Sequence, residues 1–165
     1  MTRIAWLCYA FCAIVASGFI LATTAGMPPE VASHFGVRNS ANAFMPRSAY
    51  LAFMLAIALG LPALIVGTIV LLPRIKPDAI NIPNRAYWLD PKHRQETIEA
   101  LSARGAWFGC LLTVFIAGVH YLVLEANRAT PPELPLDMFF TWMAIFTAAL
   151  AIWIVSLYSR FRSLQ

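Results

Sequence analysis

The sequence predicts an all-α integral membrane protein, a bundle of four transmembrane helices with a short cytoplasmic interfacial helix. Of the 165 residues, 60% are hydrophobic and only 12% charged, against roughly 45–50% apolar and about 25% charged in soluble domains. The apolar residues also run in blocks of about twenty, the length that crosses a hydrocarbon core of roughly 30 Å at about 1.5 Å per residue. Lys and Arg fall between and beyond these blocks rather than along a basic helix face. The net charge of +4 therefore reports orientation, and nucleic acid is not an expected partner.

The first block covers residues 4–23 and follows a short start carrying Arg3. Thr23 and Ala25 resemble a cleavage site, but the block is longer than a signal peptide's apolar region and three more follow, so it reads as an uncleaved first span. Cys8, Cys12 and Ala16 recur every four residues along it, a row of small side chains suited to close helix approach. With Cys110 also inside an apolar block, the three cysteines do not read as a disulfide framework.

The second block, residues 50–72, carries Gly60-Leu61-Pro62 near its middle, where proline removes a backbone donor and should kink the helix. The third and fourth blocks, residues 106–124 and 138–158, hold Trp107, Tyr121, Trp142, Trp153 and Tyr158 towards their ends, as the two water interfaces favour. Residues 73–105 form the long polar loop. Pro77, Pro83 and Asn84 favour an extended path there, and Tyr87-Trp88-Leu89 suits anchorage at the membrane surface. Asp90-Pro91 has the pattern of an N-cap followed by proline at the first helical position, predicting the interfacial helix over residues 90–104. All of this is read as one membrane domain, residues 1–165.

Orientation follows from the basic residues. Arg3, Arg74, Lys76, Arg85, Lys92, Arg94, Arg104, Arg160 and Arg162 lie on one side, nine in all, against Arg38, Arg47 and Arg128 on the other. The positive-inside rule then places both termini and the long loop in the cytoplasm, and the first and third loops outside. The expected location is a bacterial inner membrane.

The most pointed local sequence is the first outward loop, Met27-Pro28-Pro29-Glu30-Val31-Ala32-Ser33-His34-Phe35-Gly36, with Asn42-Ala43-Phe44-Met45-Pro46-Arg47 at the entry of the second span. With Pro28, Pro29, Val31, His34, Phe35 and Gly36, it resembles the signature of a bacterial membrane family catalogued as a domain of unknown function (number 1648). That family shows a proline, a spacer, a histidine-aromatic pair and a glycine-bearing turn before a helix. The resemblance covers residues 20–70. The same module opens larger SdpI-like membrane proteins that act in immunity to a secreted toxic peptide and in signalling, so it implies an immunity, signalling or accessory role.

Chemistry has few candidates. His34 is suited to sensing, to ligand binding or to anchoring the loop by hydrogen bonds. His120 is the titratable side chain set well inside a span, with Glu125 at that helix's end. About 7 Å from the bilayer centre, it is expected to reach the outer interface or a backbone carbonyl. Topology brings His34, His120, Glu125 and Glu30 to one side, a permissible zinc set without ligand spacing, so no metal site and no cofactor are assigned. No Gly-x-Ser-x-Gly or Walker-type run supports catalysis. On the cytoplasmic side Trp88, Lys92, Arg94 and Glu99 offer a surface for a membrane or cytoplasmic protein partner or for anionic lipid. Three readings follow: a non-enzymatic signalling, immunity or accessory protein; a transporter of a small solute or ion acting as a homo-oligomer; and a membrane enzyme with a histidine-based outer site. The first is preferred.

Overall fold

A computed structural model describes residues 2–37 and 39–162. Four helices long and apolar enough to cross a membrane dominate it: Thr2–Thr24, Arg47–Ile75, Arg94–Ala126 and Leu136–Arg162. Each holds an 18-residue window of mean hydropathy between 2.0 and 2.6, apolar enough to cross a membrane. The first is α1. The second is built from α2 (Arg47–Leu55), a π turn (Ala56–Gly60) and α3 (Leu61–Ile75). After a 3-10 turn at Pro77–Ala79 come the single turn α4 (Arg85–Trp88), then α5 (Arg94–Ala126) and α6 (Leu136–Arg162). Pro62 thus leaves its mark one turn upstream. A residue lacking N–H cannot close the α-helical bond to Ala58, and the backbone widens into the π turn instead of breaking.

One expectation needs correction. The interfacial helix expected over residues 90–104 is not a separate element, because α5 runs unbroken for 33 residues from Arg94. Asp90 does not cap it: the N-cap is His93, without a side-chain cap bond, and the Asp90 carboxylate accepts the Lys92 N–H at 3.0 Å in the turn before the helix. From Arg94 onward the sequence RQETIEALSAR is rich in good helix formers and free of proline, so nothing stops it from joining the apolar span. At about 1.5 Å per residue, α5 is some 50 Å long and outruns a roughly 30 Å hydrocarbon core by several turns. The all-helical architecture stands, and the first loop adds a β-hairpin to it. β1 (Glu30–Phe35) pairs antiparallel with β2 (Ala41–Pro46), with Glu30 opposite Pro46 and Phe35 opposite Ala41.

α5 is the central helix of the bundle, burying residues along its whole length from Thr97 to Ala126. Glycine makes this close packing feasible. A Cβ on Gly109 would lie 2.8 Å from the Tyr9 ring and from Val66, and one on Gly105 would lie 3.1 Å from Ile69. Gly105-x-x-x-Gly109 is the small-residue spacing that lets helices approach, a signal the sequence reading passed over. On α1, Ala16 is buried and the Cys12 thiol meets that of Cys110, so the small-residue row does face α5. α6 is held differently. The Trp142 indole N–H donates to the Phe115 carbonyl at 3.2 Å, and that of Trp153 donates to the Arg104 carbonyl at 3.1 Å. Trp142 lies so close over Gly118 that a Cβ there would be 2.1 Å from the ring.

The end carrying the long loop is called the basic end below. There Ile82, Trp88, Leu101 and Phe161 form a second small core. Trp88 was expected at the membrane surface, yet it is 1% exposed. Its indole N–H donates to the Phe161 carbonyl at 2.9 Å, Asn84 donates to the Phe161 and Arg162 carbonyls, and Thr97 donates to the Trp88 carbonyl. The loop therefore folds under α6 and satisfies its last carbonyls, which a helix end leaves without intrahelical partners.

Candidate functional site: the hairpin and the histidine beneath it

At the opposite end the hairpin is fastened to three spans. Arg47, at the start of α2, donates from one guanidinium nitrogen to the carbonyls of Ala25 at 3.0 Å and Met27 at 2.9 Å, tying the exit of α1. Its own N–H donates to the Pro29 carbonyl at 2.8 Å. Asn127, just past α5, supplies a side-chain amide that pairs with β1 as a neighbouring strand would. Its oxygen accepts the Ala32 N–H at 2.8 Å and its nitrogen donates to the Ala32 carbonyl at 2.9 Å. A bridge between Ser40 and Glu133, with the Ala41 N–H on the Pro132 carbonyl, ties the hairpin to the loop between α5 and α6. Val31 and Ala32 are both fully buried, although alternation points them to opposite faces. Both pair regularly, with Met45 and Phe44, so β1 is covered on both faces at that point, and the register slips only beyond Ala32.

Directly beneath the hairpin lies His120, 0% exposed. Its Nε2 is 2.7 Å from the Thr23 hydroxyl and its Nδ1 is 2.9 Å from the Tyr50 hydroxyl. The Thr23 hydroxyl already donates its proton to the Phe19 carbonyl at 2.7 Å, so its oxygen accepts from Nε2–H. Nδ1 then carries the lone pair and accepts the Tyr50 O–H. One tautomer of the neutral ring satisfies every bond, and α1, α2 and α5 meet at a single imidazole. Phe19 packs edge-on against the ring and Tyr50 stacks on it at 5.7 Å. With both nitrogens occupied and no exposed surface, His120 in this arrangement offers neither a base to a substrate nor a lone pair to a metal.

The remaining candidates do not converge on His120. His34 is exposed, with Nδ1 2.6 Å from the Asn42 side-chain oxygen across the hairpin. Phe35 packs on the main core, and Gly36 starts the tip, where a Cβ would meet the Asn42 amide at 3.2 Å. Pro28 and Pro29 lie exposed on the approach to β1. Glu125 pairs with Arg128 at 2.5 Å. Among the described residues no three His, Cys, Asp or Glu side chains gather as metal ligands. At the basic end Lys92 is exposed, Arg94 donates to the Arg74 carbonyl at 3.4 Å, and Glu99 accepts from Gln95 at 2.9 Å. Trp88, being buried, leaves that proposed surface. Arg38, counted among the outer basic residues, lies outside the described residues.

Sequence reasoning missed Thr23, Tyr50, Arg47 and Asn127 as members of this site. The available signal was weak but real, since each is a polar side chain at the same end of a span. No family model, curated protein or solved structure matches the chain. The likeness of the first loop to the family named above therefore stands on the quoted residues alone.

Proposed function

We propose that this chain is a multi-pass protein of a bacterial cytoplasmic membrane, with the hairpin outside and the basic end in the cytoplasm, and that it acts by binding rather than by catalysis. The observation that carries this reading is the fastening of the hairpin. A loop that merely joined two spans would need no side chains from the ends of two helices to hold it. This one is set by Arg47 and Asn127 while β2 stays largely open, with Phe44 52% exposed. A rigid exposed platform lowers the ordering cost of binding a partner. The excess of Lys and Arg at the basic end supports the orientation, and the loop resemblance favours an immunity, signalling or accessory role. The occupied nitrogens of His120 weigh against the transport and enzyme readings, both of which need a group free to exchange.

Site-specific photo-crosslinking in living cells tests this. A photoreactive side chain at Phe44 is expected to give a discrete protein adduct, while the same group at the lipid-facing Ile152 gives none. Lipid adducts alone from both positions would contradict the proposal.

A further inference from the structure

Between α5 and α6 at the basic end lies a crevice of about 690 Å³. Its floor is apolar, with Leu111 on one side and Ala149 and Ile152 on the other, and Trp107 and Trp153 stand beside it. At its head sit Arg104 and Arg160, and both guanidiniums are incompletely satisfied. Arg160 pairs with Glu96 and lies over Trp88, 4.5 Å from the ring centroid, yet its Nη1 is shielded from solvent and has no hydrogen-bond partner among the described residues. Arg104 reaches the Ser156 carbonyl only at 3.4 Å, and its Nε is likewise shielded and without a partner. The two cations are near enough to repel each other. Glu96 is paired with Arg160 and Glu99 accepts from Gln95, so Arg104 has no carboxylate partner among the described residues. Leaving charged donors without partners is costly, and a planar guanidinium is matched by phosphate oxygens.

We propose that this crevice is a binding site for an anionic phospholipid, the phosphate headgroup meeting Arg104 and Arg160 and one acyl chain lying along Leu111, Ala149 and Ile152. The occupant is a lipid rather than a free phosphate because the polar head continues into an apolar groove. From Arg104 to Leu111 is seven residues of helix, about 10 Å, which runs from headgroup depth into the acyl region. Tryptophans at the mouth suit the interface between the two. The site rests on the reading that the chain spans a bilayer, but not on which way it faces.

The test uses the full chain, delipidated in detergent and titrated with phosphatidylglycerol or with phosphatidylcholine of the same acyl chains, with retained lipid counted by native mass spectrometry. Each arginine engaged should favour the anionic lipid by about fivefold. The wild-type chain is therefore expected to prefer phosphatidylglycerol by about tenfold or more, and Arg104→Gln with Arg160→Gln to lose most of that preference. Replacing two exposed lysines of the same end, Lys76→Gln with Lys92→Gln, should leave it intact. Equal binding of the two lipids by the wild type would overturn the site whether or not the arginine variant folds, and so would an equal loss in the lysine variant. If inorganic phosphate displaces phosphatidylglycerol at equal concentration, the groove contributes nothing and the lipid assignment falls. Because detergent solution is blind to orientation, failure here is distinct from failure of the topology proposed above.

Discussion

The hairpin end and the basic end of the bundle solve the same problem, closing helix termini next to water, by different means. At the hairpin end the closing groups are polar side chains bonded to backbone: Arg47 on Ala25 and Met27, Asn127 on Ala32, and His120 between Thr23 and Tyr50 below them. At the basic end the loop is pinned by a buried aromatic cluster around Trp88 and Phe161, with hydrogen bonds added to it. Directional bonds fix position precisely but contribute modestly to stability, about 0.5–1.5 kcal/mol each and less within membranes. Aromatic burial is worth more and specifies less. The difference suggests an end built to hold a shape and an end built to hold together.

If that division is right, the largest loss of stability should come from the aromatic end. Trp88→Ala removes a fully buried indole and its bond to Phe161, and should cost about 3–5 kcal/mol in unfolding from detergent. A cost below that of any hairpin-end change would break the comparison. Next is Gly118→Val, which drives a side chain into Trp142 and should cost about 2–3 kcal/mol while loosening α6, read as faster proteolysis within residues 127–135. His120→Leu leaves the Tyr50 hydroxyl without its acceptor and should cost about 1–2 kcal/mol. Its sharper form is a cycle with Tyr50→Phe, in which the double variant should lose less than the two singles combined, since each single breaks the same bond. The smallest effect is expected for Asn127→Ala, about 1 kcal/mol, but it should be local. Amide exchange at Ala32 should accelerate while that of the buried part of α5 does not.

What the sequence made legible, and what it hid, divides along the same line. Hydropathy placed all four long helices, because twenty consecutive apolar residues carry their own meaning in any context. It separated residues 90–104 from the third span only because the polarity changes there, and polarity says nothing of backbone continuity. Trp88 was read as an interfacial anchor because a Trp beside Tyr in a basic loop fits the aromatic belt, and only the return of α6 shows that it is covered. The hairpin was hidden because β1 is covered on both faces at Val31 and Ala32, which erases the alternation that identifies a strand. His120 was found, its partners were not. Thr23 and Tyr50 lie 97 and 70 residues away, and no local pattern links such distant positions.

The central claim is that the fastened hairpin faces outward and the basic end faces the cytoplasm. Cysteine labelling in intact cells tests it most directly, with single cysteines at Val37, Lys92 and Ala129, all exposed, in a chain whose three native cysteines are replaced. Ser102, nearer the basic end, is unsuited to labelling because it is buried and accepts from the Trp6 indole N–H. The account predicts that an impermeant reagent labels Val37 and Ala129 in intact cells and reaches Lys92 only after the membrane is opened. Labelling of Lys92 in intact cells, with Val37 and Ala129 protected, would contradict it.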